Sequence, residues 1–163
     1  MNDWFLLLRL LVLLGVANSM PMFAKTLFGD RCAAPLDGGV ILSDGRPLFG
    51  SSKTFRGLLV SLACTTLASA VLGLGWANGA IIAAGAMAGD LAASFIKRRH
   101  GVKVHGQAFG LDQIPEALVP LLLVGLRLGL CWTSVALLLA LFVVLEVLLS
   151  RLLFRLGLRE QPF

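Results

Sequence analysis

The stretch GAIIAAGAMAGDLAASFIKRRHG, residues 79–101, starts as a run of Gly, Ala, Ile and Met, carries an aspartate at position 90 and closes on three consecutive cations. Its apolar part, Gly79 to Ile96, reads as a membrane-spanning helix. Within it GAMAG sets Gly85 and Gly89 four residues apart, a small-xxx-small pair that lets helix backbones approach closely in lipid, where packing drives association. That places this helix at the centre of a bundle. Asp90 lies two turns before Lys97, at a depth of ~10 Å for a rise of 1.5 Å per residue. Asp90, Ser94 and Lys97 recur at i, i+4 and i+7 and share one face. A carboxylate in a span costs at least ~2.5 kcal/mol if it faces lipid, so this face must look into protein or a wet cavity. A structural ion pair with a neighbouring helix is the plainer explanation; a functional carboxylate is favoured because the polar face runs directly into a basic loop.

Outward from there, composition sets the class. Hydrophobic residues make up 58% of the 163-residue chain and charged ones 14%, against roughly a quarter charged in soluble domains, and the mean hydropathy is +0.89. The chain is expected to be an all-α integral membrane protein, a single membrane-embedded catalytic domain over 1–163. At about 20 apolar residues per span, five spans are expected: 4–23, 57–74, 79–96, 114–130 and 133–154. Two polar loops, 25–56 and 97–112, separate them. A cleaved signal peptide competes for the first segment, but the residues before its apolar run include Asp3 and no cation, so an uncleaved helix is the expectation.

The charges orient the bundle. Lys25, Arg31, Arg46, Lys53 and Arg56 sit in the first polar loop, Lys97, Arg98, Arg99 and Lys103 in the second, and Arg151, Arg155 and Arg159 in the C-terminal tail. By the positive-inside rule both loops and the C-terminus are cytoplasmic and the N-terminus is outside. The net charge of +5 is thereby accounted for by topology, and no nucleic-acid partner is expected. Cys32, Cys64 and Cys131 lack disulfide or metal-ligand spacing and read as packing residues. His100 and His105 have no cysteine or third histidine nearby and read as phosphate contacts or solvated side chains. Arg127 and Glu146, inside the last two spans, read as a structural pair.

The loops carry the chemistry. KRRHGVKVHG, residues 97–106, is followed three residues later by GLDQIPE, where Asp112 and Glu116 stand at i and i+4. Carboxylates beside Lys and Arg suit a magnesium-bound polyphosphate, since hard oxygen ligands hold the metal and cations take the remaining phosphate charge. DGRPLFGSSKTFRG, residues 44–57, sets Arg46, Lys53, Thr54 and Arg56 among glycines and two serines, but its spacing is not that of a P-loop.

Taken in order, NxxP at Asn18–Pro21, PLDxG at 35–39, DGRxLFGxxKTxRG, GDLxxSFIKRRxGxK and LDQ resemble the CDP-archaeol synthases, membrane cytidylyltransferases related more distantly to the CDP-diacylglycerol synthases. The resemblance implies that CTP and a lipid phosphate give a CDP-activated lipid and pyrophosphate with Mg2+ as cofactor. It marks Asp90, Asp112, Lys97 and Lys53 as catalytic, with Asn18, Arg46, Thr54, Arg56, Ser94 and Arg98 binding substrate. Asp90 and Asp112 would hold the metal. The family pattern has a second acid three residues after the first, where this chain has Pro115; Glu116, one residue on, is the expected replacement ligand. The partners implied are CTP, a lipid phosphate, the bilayer and a second copy of the chain in a homodimer. The expected location is a bacterial inner membrane, with the site facing the cytoplasm. The rival readings are a CDP-alcohol phosphatidyltransferase, whose later acids are missing after the DGR at 44–46, and a small transporter or channel component, whose midplane helix breaks are missing.

Overall fold

The computed structural model describes residues 4–155 apart from 105, 107 and 109. His105 and the C-terminal cation Arg159 lie outside the described residues. Within them the chain forms five α-helices: α1 (Trp4–Phe28), α2 (Phe55–Val71), α3 (Trp76–Arg99), α4 (Gln113–Leu128) and α5 (Trp132–Arg155). Among the described residues there is no strand, only two isolated bridge pairs, Pro35 with Thr54 and Ile41 with Pro47, that fold the first loop back on itself.

Three of the helices, α1, α3 and α5, are long and apolar enough to cross a membrane. The two others expected as spans are shorter, with 17 residues in α2 and 16 in α4, about 25 Å of helix against a hydrocarbon core of ~30 Å. Boundaries also shift from expectation. α1 continues past residue 23 to Phe28 despite Pro21. Proline at 21 removes the N–H that would bond the Ala17 carbonyl, and the Ser61 hydroxyl of α2 donates to that carbonyl instead, at 2.7 Å. The break in the ladder becomes an interhelical tie.

The end of α3 is the second difference. Lys97, Arg98 and Arg99 were expected in a loop, yet they form the helix's last turn, where cations complement the C-terminal dipole. The helix stops because Gly101 adopts φ +76°. The Gly101 amide then bonds the Arg98 carbonyl and the Val102 amide the Lys97 carbonyl, the paired bonds of a Schellman cap.

Helix α3 packs on α1, α2 and α4, and its glycines explain how. A Cβ at Gly79 would stand 2.5 Å from Ser69 Cβ of α2, and one at Gly85 would stand 2.7 Å from Pro120 Cα of α4. At Gly89 it would overlap the Pro115 carbonyl. Backbones therefore touch where the sequence places its small residues. α2 contributes a stripe of Gly57, Ser61, Thr65 and Ser69 to the interior, whereas the apolar core is built from α1, α3, α4 and α5, with Leu10, Leu13, Ile82, Leu121 and Leu138 at its heart. Cys32 and Cys131 are exposed and Cys64 only partly buried, so they are not the packing residues expected.

The candidate active site at the loop end of the bundle

The C-terminal halves of α1, α3 and α5 meet the first turns of α2 and α4 at one end of the bundle, around a cavity of about 590 Å3. α1 lines it with Asn18, Pro21, Met22 and Lys25, and α3 with Met87, Asp90 and Leu91. Glu116 of α4 and Glu146 of α5 complete the helical wall, and Ser51, Ser52, Lys53, Thr54 and Arg56 arrive from the first loop and the start of α2. Trp4, Trp76 and Trp132 begin the odd-numbered helices, at the opposite end, and all three are exposed. Exposed tryptophans at a common level suit a membrane interface.

An ion pair stands at the centre. Lys53 Nζ lies 2.5 Å from both Asp90 oxygens, with about a fifth of each side chain exposed. Glu116 is within hydrogen-bonding reach of Asp90 and feels the charges of Glu146 and Lys53. The carboxylate brought beside Asp90 is therefore Glu116, the residue that follows Pro115. Both arrive through the backbone contact of Gly89 with Pro115, each acid being the next residue in its helix.

Asp112 takes a different place. Its carboxylate pairs with Lys97 at 2.5 Å and accepts the Ala108 amide at 3.0 Å, and it is not among the cavity-lining residues. Lys97 also donates to the Gly106 carbonyl at 3.1 Å and Arg98 to the Val102 carbonyl at 2.6 Å; both cations are buried beneath the second loop. Ser94 is buried on the same helix, away from the cavity lining. The structure thus divides the expected site residues. Asn18, Lys53, Thr54, Arg56, Asp90 and Glu116 gather around the cavity, whereas Lys97, Arg98 and Asp112 support the second loop and Ser94 is buried in α3.

Thr54 has a local structural partner and Arg46 distant ones. The Thr54 hydroxyl accepts the Gly57 amide at 3.1 Å and caps α2, which holds the residue after Lys53 in place. Arg46 donates to the Arg98 and Arg99 carbonyls at the end of α3, and Arg99 returns to Asp44 at 2.5 Å and to the Pro47 carbonyl at 2.6 Å. Arg99 also stacks over Phe95, 5.3 Å from the ring centroid. The first loop is latched in this way onto α3. Because the Asp44–Arg99 pair is partly exposed to solvent, Asp44→Asn is expected to lower the thermal midpoint slightly in low salt. The difference from wild type should vanish near 1 M salt, where the screening length is only ~3 Å; paired melting curves check this.

Two residues, one lining the cavity and one behind it, are given no site role by the sequence. Glu146 reads there as half of a pair with Arg127, but it lines the cavity with Asp90 and Glu116; an acid inside a span was itself the signal. Asp37, which the sequence shows only as the acid of PLDxG, is 7% exposed and lies outside the cavity lining. It accepts the amides of Gly39, Phe49 and Gly50 at 3.0, 3.0 and 2.8 Å. Burial alone would push its carboxyl up, but the amides of Gly50, Phe49 and Gly39 together hold it below the usual carboxylate range. With a depressed folded value, the stability it contributes is present above the ordinary carboxylate pKa and is lost as pH falls through the lower one.

Asp90 and Glu116 form a donor set suited to magnesium, which usually takes one or two carboxylates from a protein and its remaining ligands from substrate phosphates and water. Among the described residues no group of three His, Cys, Asp or Glu side chains converges closely enough to hold a metal ion by itself. A metal bound here would depend on phosphate oxygens.

The comparisons with known proteins follow the same lines. Residues 74–163, which hold Asp90, Asp112, Glu116 and Glu146, match the family model described as CarS-like: CDP-archaeol synthase. A CDP-archaeol synthase of Aeropyrum pernix is 40% identical over 124 residues, 72% of this chain and 67% of that protein. One from Saccharolobus islandicus is 34% identical over 129 residues, 74% of this chain and 78% of its own length. A solved structure, described as an intramembrane enzyme for archaeal membrane lipids biosynthesis, superposes with a TM-score of 0.76 at 32% identity, covering 87% of this chain and 90% of that one. These relatives are archaeal, which leaves the expected bacterial inner membrane without support. From the matched helices, the curated relatives and the intramembrane neighbour together, the chain belongs to the CDP-archaeol synthase family, membrane enzymes of the CTP-dependent nucleotidyltransferase class.

Proposed function

We propose that the chain transfers the CMP part of CTP to a lipid phosphate, forming a CDP-activated lipid and releasing pyrophosphate, with the chemistry in the cavity between Lys53, Asp90 and Glu116. The observation that carries this reading is the cavity itself, which joins loop hydroxyls and cations to in-span carboxylates and apolar Met22, Leu58, Met87 and Leu91. A nucleotide phosphate and a lipid headgroup need those two kinds of wall side by side. The relatives are named for CDP-archaeol, so an archaeol-type ether-lipid phosphate is the first substrate to try, with phosphatidate second.

The step is an in-line attack by a lipid phosphate oxygen on the α-phosphorus of CTP, with pyrophosphate leaving. The nucleophile is already charged, so alignment and charge screening matter more than a general base. Lys53 and Arg56 neutralise phosphate oxygens, and Ser51 and Ser52 offer hydroxyl donors. Asp90 and Glu116 would hold Mg2+, which when bound supplies charge stabilisation on the phosphates. Lys97, Arg98 and Asp112 shape the second loop over this end and hold further cationic charge near the nucleotide. In the membrane we place the cavity on the cytoplasmic side with the N-terminus outside, following the cations, and the active unit is a homodimer.

The test is purified protein with labelled CTP, Mg2+ and a panel of lipid phosphates, scored for CDP-lipid; no product with any of them would refute the proposal. Glu116→Gln keeps the shape and removes the charge. It is expected to raise the Mg2+ concentration for half-maximal rate by ~10-fold or more, whereas an unchanged metal requirement would remove Glu116 from the site.

A further inference from the structure

Lys53 can meet Asp90 only if the turn that carries it is held at one height over the cavity. That turn has no strand or helix of its own. Its backbone is held at two levels. Near its end the Leu36 amide bonds the Lys53 carbonyl at 2.7 Å and the Phe55 amide the Ala34 carbonyl at 3.1 Å. Before it, the amides of Phe49 and Gly50 both converge on one oxygen of Asp37, while its other oxygen takes the Gly39 amide. Gly50 sits at φ +97°, and a Cβ there would stand 3.1 Å from Val104 of the second loop. The point gripped by Asp37 is therefore also where the two loops touch.

We propose that Asp37 is a positioning residue for the reaction: through the Phe49 and Gly50 amides its carboxylate sets the Ser51–Thr54 turn, and with it Lys53, against the cavity. This rests on the reading of Lys53 as a phosphate-facing cation. A carboxylate is required because both oxygens accept. An Asn side chain presents one acceptor and one NH2 group, so it can satisfy the Gly39 amide or the Phe49 and Gly50 pair but not both.

The experiment is a double-mutant cycle on the purified full-length protein, with kcat and KM for CTP measured well below every thermal midpoint. Asp37→Asn is expected to lower kcat/KM for CTP by at least 10-fold, and Lys53→Ala by more. Combined, Asp37→Asn should cost less than a further twofold on the Lys53→Ala background, because its effect passes through Lys53. If Asp37→Asn does not accumulate as folded protein, Asp37→Glu, which keeps both acceptors one methylene further out, takes its place in the cycle with the same expectations. Multiplying losses would overturn the proposal in favour of a general structural role. Full activity of Asp37→Asn alongside an inactive Lys53→Ala would overturn it while leaving the role of Lys53 intact. Full activity of Lys53→Ala would overturn both this inference and the reading on which it rests.

Discussion

Gly89→Ala is expected to abolish the properly packed protein. A single methyl at this position overlaps the Pro115 carbonyl and stands 2.9 Å from the Glu116 nitrogen. These are backbone atoms, so no rotamer change relieves them and α3 must move away from α4. Overpacking in a well-filled interior costs about 1–3 kcal/mol when side chains can yield, and a main-chain clash in the most extensive helix contact of the molecule should exceed that. The expected result is aggregated or absent protein in size-exclusion chromatography after extraction. Gly15→Ala is the matched control: a Cβ at Gly15 meets nothing within 4 Å, and alanine favours a helix over glycine. A Gly89→Ala protein that elutes and melts like wild type would show that the two backbones are not in contact.

Asp90→Asn should give the opposite combination, folded protein without turnover. The side chain keeps its shape and can still accept from Lys53, but it no longer carries the charge that pairs with Lys53 and that a magnesium ion bound as proposed would share. Losing about 4 kcal/mol of transition-state stabilisation corresponds to a rate lower by on the order of 10³. CDP-lipid formation and thermal melting on the same preparation separate the outcomes. If instead the variant melts far below wild type while its residual folded fraction turns over normally, Asp90 is a structural half of an ion pair and the site lies elsewhere.

Much of this could be read from residue order. The α3 assignment rests on an unbroken apolar run, and the close approach at Gly85 and Gly89 follows from small residues at a spacing that returns to one helix face. Asp90 is conspicuous because a carboxylate in such a run is costly. The end of α3 could not be placed in the same way. Three cations look like a loop when judged by polarity, and they form a helical turn because Arg46 and Asp44, more than fifty residues earlier, satisfy and neutralise it. Asp37 was hidden for a related reason: Asp followed by two glycines is a turn signal, and nothing local shows that its oxygens are bonded twelve and thirteen residues away. Glu146 is separated from Asp90 by an entire helix and two links, so only the packing of α5 brings it to the cavity wall. Asp112 joins Asp90 only in what the resemblance implies, and the fold pairs it with Lys97.

The proline in α1 makes the two cavity walls unequal in their backbone bonding. Met87, Asp90 and Leu91 belong to a helix whose backbone ladder runs without proline, wedged between neighbours on several sides. Asn18, Pro21, Met22 and Lys25 surround the point in α1 where proline removes a helical bond, and a serine hydroxyl of α2 takes up the freed carbonyl. Bending α1 outward at that point would sacrifice that hydroxyl bond and the packing of Ala17 against Ala86, Met87 and Leu58. The chamber therefore has one wall, carrying Asn18 and Lys25, whose helix ladder is interrupted and bridged from outside, and one, carrying Asp90, whose ladder contains no proline.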